Sequence, residues 1–227
     1  MTAQTMQIGN KPCRIYGEAH AEYLLLQMTG EHELQSMESE VTAIAQSAHH
    51  FLFAAIPVES WNDALSPWEA PAVWGKQGFS GKAADTLRFL TEQVIPTLEQ
   101  QFPLPENVKI ILGGYSLAGL FALYALYQTD VFARAASMSG SFWFEGIMEY
   151  VCSHEMKRKP DCLYFSLGDK ESSTDNPILN VVQQNTQEIE TLCHGKGIET
   201  TFVLNSGSHY QACNKRTAAG IHWILNR

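Results

Sequence analysis

Lys109-Ile-Ile-Leu-Gly-Gly-Tyr-Ser-Leu-Ala-Gly-Leu-Phe-Ala-Leu-Tyr-Ala-Leu126 passes from an apolar strand through a glycine pair to a serine, and on into an apolar helix. This layout predicts a nucleophile elbow, a sharp strand-to-helix turn that holds a serine hydroxyl clear of the backbone. Strand and helix pass close together around the residues two before and two after the serine, so small residues are needed there. Those positions hold Gly114 and Ala118 around Ser116, with Ala118 in place of the second glycine of G-x-S-x-G and Gly119 keeping the helix start slim. A serine hydroxyl is a weak nucleophile until a neighbouring base takes its proton. The elbow offers a further group, the backbone N–H of Leu117 at a helix N-terminus, placed to donate to the oxyanion of a tetrahedral intermediate. Taken alone, the same residues also suit a serine that merely caps a helix after a buried strand.

Outward from the elbow, strand-like and helix-like segments alternate. Glu22–Met28 and Phe51–Val58 read as strands, with a helix over 33–48 between them. A long loop rich in Trp and Pro follows over 59–80, then a strong helix over 81–101 that Pro96 is expected to bend. Val108–Leu112 is the strand before the elbow and Leu117–Gln128 its helix. Arg134–Ser139, Cys162–Leu167 and Thr200–Leu204 read as further strands, with helices over 177–194 and 215–225. Continuously apolar strands alternating with helices predict a mostly parallel, doubly wound sheet flanked by helices. One α/β domain over residues 1–227 accounts for every segment. In such sheets ligands bind beyond the carboxyl ends of the strands, so the loops there are the places to search.

Two of those loops supply partners for Ser116 in the chain order serine, acid, histidine. After Leu163–Leu167 come Gly168, Asp169, Lys170 and Glu171; after Thr200–Leu204 come Asn205-Ser-Gly-Ser-His209-Tyr210. His209 is the candidate base, taking the Ser116 proton and returning it to the leaving group. A carboxylate must hold the far imidazole nitrogen to fix the tautomer. Glu171 is favoured over Asp169, whose position directly after a glycine suits a turn residue, and Asp175 is a remote third choice. A second oxyanion donor is expected from the loop after the third-strand equivalent, read as the segment near Val58 and Glu59. Trp61, Trp68, Trp74, Phe142, Trp143 and Phe144 fall in loops at the same edge and are candidate cleft walls, consistent with an apolar acyl or aryl substrate.

Composition narrows the partners. Fifteen basic against 24 acidic residues give a formal net charge of −9, which argues against nucleic acid or an anionic membrane surface. The N-terminal segment has neither a basic nor an apolar signal-peptide region, and no apolar run reaches the length of a membrane span. Cys13, Cys152, Cys162, Cys193 and Cys213 are odd in number and lack metal-ligand spacing, which reads as free thiols in a reducing, cytoplasmic setting. His20 and the pair His49–His50 have no partner at ligand spacing, and Gly113–Gly114 is followed by no phosphate-loop lysine. No metal or cofactor is expected, and the oligomeric state is left open.

Together these residues resemble the branch of the α/β-hydrolase superfamily that contains esterase D and the enterochelin-esterase-like enzymes. The likeness lies in Ile111–Tyr124, Ser137-Met-Ser-Gly-Ser-Phe-Trp143, Phe165-Ser-Leu-Gly-Asp-Lys-Glu171, Asn205–His209, and the terminal helix with Arg216 and Ile221–Ile224. It covers roughly residues 20 to 227. The resemblance implies the α/β-hydrolase fold without a large lid domain, and a serine hydrolase acting on carboxylic esters of small molecules, sometimes siderophore lactones. The expected roles are Ser116 as nucleophile, His209 as general base and Glu171 as the orienting acid. The same triad would serve an acyltransferase or thioesterase, and a non-catalytic binding protein on this fold is the third reading.

Overall fold

The computed structural model describes residues 3–17, 20–30, 34, 37–46 and 50–227. A hairpin opens the described chain: β1 (Gln4–Ile8) and β2 (Lys11–Gly17) pair antiparallel around Gly9 and Asn10, where Gly9 takes φ 57°. The order continues with β3 (Tyr23–Gly30), α1 (Met37–Ala45), β4 (Phe51–Val58), α2 (Trp61–Leu65), and the two-residue strands β5 (Glu69–Ala70) and β6 (Phe79–Ser80). Next come α3 (Ala83–Phe89), a π-helical turn (Leu90–Val94), α4 (Ile95–Gln101), β7 (Lys109–Tyr115) and α5 (Leu117–Gln128). The chain closes with β8 (Arg134–Met138), α6 (Ile147–Ser153), β9 (Cys162–Gly168), α7 (Val182–Gly195), β10 (Glu199–Asn205) and α8 (Cys213–Leu225).

Eight strands form one sheet in the order β1-β2-β4-β3-β7-β8-β9-β10. The first two are antiparallel to their neighbours and the other six run parallel. Side chains alternate between two faces, as the period of a strand requires. Leu24 and Leu26 of β3 join the core under α5, while Leu25 joins the core under α1 and α8. Phe51 and Phe53 of β4 likewise join the core under α1 and α8, and Leu52, Ala54 and Ile56 the other side. This two-sided burial is why the strands read as unbroken apolar runs. Helix α5 is buried from Leu117 to Tyr127, so it carries no polar stripe.

The elements agree with the sequence reading at their centres and depart from it in five places, one of them the unpredicted helix α6 (Ile147–Ser153). The β1–β2 hairpin is additional, so Tyr23–Gly30 is the third strand and Phe51–Val58 the fourth. The strand count used to look for the second oxyanion donor near Val58 and Glu59 therefore shifts: the strand paired with the elbow strand is β3. The expected bend at Pro96 is realised as the π-helical turn just before it, which accommodates a residue that lacks an N–H for the helical ladder. The predicted loop over 59–80 contains α2 and the β5–β6 pair. Of the helix predicted over 33–48, Met37–Ala45 is helical; residues 33, 35, 36, 47 and 48 lie outside the described residues. Among the described residues no helix is long and apolar enough to cross a membrane.

Candidate active site

Ser116 sits between β7 and α5 with φ 60° and ψ −124°, a conformation that costs a non-glycine residue energy and turns its side chain out of the sheet. Surrounding bonds hold it there. The Ser116 N–H donates to Met138 O at 3.0 Å, and Ser116 O accepts from the N–H groups of Gly119, Leu120 and Ser141 at 3.0, 3.1 and 3.1 Å. Close approach explains the small residues. A Cβ on Gly114 would meet the backbone of Ala118 and stand 2.6 Å from its Cβ, and a Cβ on Gly119 would stand 2.7 Å from Ser137 Oγ. Gly114 is therefore obligatory here, whereas the Ala118 methyl fits because it faces that glycine.

The loops after β9 and β10 bring the two partners in. His209 Nε2 lies 3.1 Å from Ser116 Oγ, and His209 Nδ1 lies 2.7 Å from Glu171 Oε2. The Glu171 carboxylate is 4% exposed, and its other oxygen accepts from the Gly168 N–H at 2.6 Å, Ser139 O–H at 2.7 Å and Arg216 Nη1 at 3.1 Å. Burial pushes the Glu171 pKa up, yet its bond to His209, the His209 charge, and the Gly168 and Ser139 donors outweigh that and hold it below the ordinary value. Asp169 does not reach His209. It ties the two loops together, accepting the Gly207 N–H at 2.8 Å while its own N–H donates to Asn205 O at 2.7 Å. Asp175 is exposed.

Leu117 is the first residue of α5 and lines the same cleft; a backbone N–H in a helix's first turn has no intrahelical acceptor. The cleft encloses about 880 Å³ and opens over Ser116 and His209. Of the six aromatic side chains expected in its wall, Trp61, Trp74 and Trp143 line it. The other three pack the loops. Trp68 donates its indole N–H to Glu145 O at 2.8 Å and rests on Tyr124, Phe144 and Tyr150. Phe142 stacks edge-on against Phe165, and Phe144 against Phe79. Tyr115 and Tyr210, both beside His209, complete the aromatic lining that the sequence reading missed; their places next to Ser116 and His209 were the available signal.

Of the thiols, Cys213 lines the cleft, with its Sγ 3.5 Å from His209 O. Burial pushes Cys13 and Cys162 up to about 11 and Cys193 to about 12, so none is ionised at neutral pH. Among the described residues, no three His, Cys, Asp or Glu side chains converge as a metal-ligating group. His20 and His50 are exposed, and His49 lies outside the described residues.

A sheet with this strand order, a serine turned out at the end of its fifth strand, and an acid and a histidine in the two following strand-end loops define an α/β-hydrolase. A family model described as "Putative esterase" matches residues 27–215, and the chain belongs to that family, within the carboxylic ester hydrolases. The uncharacterized protein YbbA of Bacillus subtilis (strain 168) is 22% identical over 192 residues, spanning 80% of this chain and 76% of its own. Among solved structures, an IroE-like serine hydrolase from Shewanella oneidensis superposes with a TM-score of 0.81 at 16% identity, over 98% of this chain and 79% of that one. The siderophore hydrolase EstB from Aspergillus nidulans gives 0.73 at 18% identity, over 99% and 95%. The enterobactin esterase FES from Shigella flexneri gives 0.74 at 17% identity, over 100% of this chain and 60% of that one. These structures share the fold.

Proposed function

We propose that the protein hydrolyses carboxylic esters of small molecules through an acyl-enzyme on Ser116. His209 accepts the Ser116 proton as the hydroxyl attacks the ester carbonyl, then donates it to the departing alcohol. Glu171 receives the Nδ1–H of His209, which leaves Nε2 as the lone-pair nitrogen facing Ser116 and stabilises the imidazolium formed in the transition state. The Leu117 N–H donates to the oxyanion. Water, activated by His209, then releases the acid and restores the serine. The observation that carries this reading is the unbroken chain of contacts from Ser116 Oγ to His209 Nε2 at 3.1 Å and from His209 Nδ1 to Glu171 Oε2 at 2.7 Å.

Three tryptophans, two tyrosines and an 880 Å³ volume suit an ester with an apolar or aryl part. The siderophore hydrolases among the structural neighbours make siderophore esters a natural member of the test panel. We read residues 1–227 as one hydrolase domain, supported by a single sheet that runs from β1 to β10. Stopped-flow mixing with p-nitrophenyl acetate tests the acyl-enzyme. The expected trace is a burst of p-nitrophenol approaching one equivalent of enzyme, followed by slower turnover, and no burst in Ser116→Ala. A Ser116→Ala protein that keeps its turnover would rule the mechanism out.

A further inference from the structure

Arg216, on the first turns of α8, is 3% exposed and does not line the cleft. Its guanidinium nevertheless reaches the strand end before Ser116 and the loops that carry Glu171 and His209. Nη1 donates to Glu171 Oε1 at 3.1 Å, to Tyr115 Oη at 3.2 Å and to Ser139 Oγ at 3.4 Å. Nη2 donates to Ser206 O, in the loop that leads to His209, at 3.1 Å. Tyr115, the residue before the nucleophile, in turn donates its hydroxyl to His209 O at 2.6 Å. One planar fork thus links the end of β7, the turn after β8, the acid loop after β9 and the histidine loop after β10.

Stability does not account for this arrangement. A buried ion pair pays desolvation on both charges and is often replaceable by apolar residues at no loss. The carboxylate partner here is also not fully at the disposal of the arginine, since its other oxygen serves His209. Planarity is what the site uses: two nitrogens in fixed relation can address Glu171 and Ser206 O together, which an ammonium cannot do.

We infer that Arg216 is a positioning residue for ester hydrolysis, setting Glu171 and the His209 loop in register with Ser116. The inference rests on the roles proposed for Ser116, His209 and Glu171. The His209 ring and its loop face Glu171 from the β9 loop, Tyr115 from β7, Tyr210 from the same loop and Cys213 from α8, with Asp169 behind the loop. Arg216 is the one fixed positive charge in this group, so its removal is expected to shift the acid limb of the pH–rate profile upward.

The test compares Arg216→Met and Arg216→Lys with the wild type, using p-nitrophenyl acetate from pH 4.5 to 9 and counting reactive serines by burst amplitude. Arg216→Met is expected to lose kcat on the order of 10²-fold, the scale of a small misplacement of catalytic groups, with KM within about twofold. Its acid limb of kcat/KM should move up by about one pH unit. Arg216→Lys, which keeps the charge but not the fork, should hold the limb within about 0.3 units while losing kcat by roughly tenfold. A merely structural arginine would lower the yield of reactive serine without moving the limb, and an unmoved limb in Arg216→Met overturns the inference. If Arg216→Met does not fold, Arg216→Lys decides: wild-type kcat per reactive serine overturns the inference, and the tenfold loss at unchanged KM supports it. Ser116→Ala runs alongside. If that variant stays active, the underlying mechanism fails; if it is inactive while the arginine variants behave as wild type, only the role of Arg216 fails.

Discussion

Glu171→Gln is the sharpest perturbation of the site, because the surrounding donors dictate how the amide must sit. Glu171 Oε1 accepts from the Gly168 N–H, the Ser139 hydroxyl and Arg216 Nη1. A glutamine must turn its oxygen toward these three donors, two of which cannot become acceptors. Its NH2 group is then left facing His209 Nδ1 across what was a 2.7 Å contact. An NH2 group there demands a lone pair on Nδ1, which puts the remaining ring proton on Nε2, against Ser116 Oγ. The imidazole in that tautomer cannot accept the serine proton. The expected loss in kcat is about 10⁴-fold, equivalent to about 5 kcal/mol of transition-state stabilisation. Asp169→Asn serves as the comparison. Asp169 bonds Gly207 N–H at 2.8 Å and does not touch His209, and an asparagine keeps an acceptor there, so kcat should stay within about threefold. Steady-state hydrolysis of p-nitrophenyl acetate at pH 8 reads both variants. Less than a tenfold loss in folded Glu171→Gln, or a larger loss in Asp169→Asn than in Glu171→Gln, would refute the tautomer argument.

Gly114→Ala should destabilise the protein by about 3 kcal/mol or leave it insoluble, since the new methyl meets the Ala118 backbone; Ala118→Gly should cost only about 1 kcal/mol, the helix penalty of glycine, and retain activity. Thermal melts of the two variants separate these cases. Because the Glu171 pKa is held low in the folded state, its stabilising contribution is full above the ordinary glutamate range and is lost as pH falls through the depressed folded-state value. The Tm gap between wild type and Glu171→Gln should therefore shrink between pH 6 and pH 3; a gap that widens on acidification would contradict the depressed pKa. Trp74 is 52% exposed at the cleft mouth, so Trp74→Ala should raise KM for an aryl ester by up to about tenfold while leaving Tm nearly unchanged, as measured by initial rates and a melt.

The elbow was legible because its chemistry is local: an apolar strand, Gly114, Ser116 and Ala118 follow one another in the chain. Glu171 and His209 were legible through topology, since parallel strands deliver successive loops to one edge of the sheet. The strand count was not. Gln4–Ile8 and Lys11–Gly17 alternate weakly, and the Gly9–Asn10 pair between them was the overlooked hairpin signal. That omission made Phe51–Val58 the third strand of the sequence reading, whereas it is the fourth in the chain. The aromatic wall divided for a different reason. Trp68 and Trp74 have the same character in sequence, and only tertiary packing decides which one turns into the core of the loops. Arg216 was visible only as part of a resemblance. Its contacts with Tyr115, Ser139 and Glu171 join segments far apart in the chain and leave no local pattern.

The intact mass of the native protein after exposure to a fluorophosphonate, followed by peptide mapping, tests Ser116 as the nucleophile. A single adduct on Ser116 is expected, slowed on the scale of 10³-fold or more by Glu171→Gln and absent from Ser116→Ala. An adduct on any other residue, or full ester turnover in a protein whose Ser116 is blocked, would contradict it.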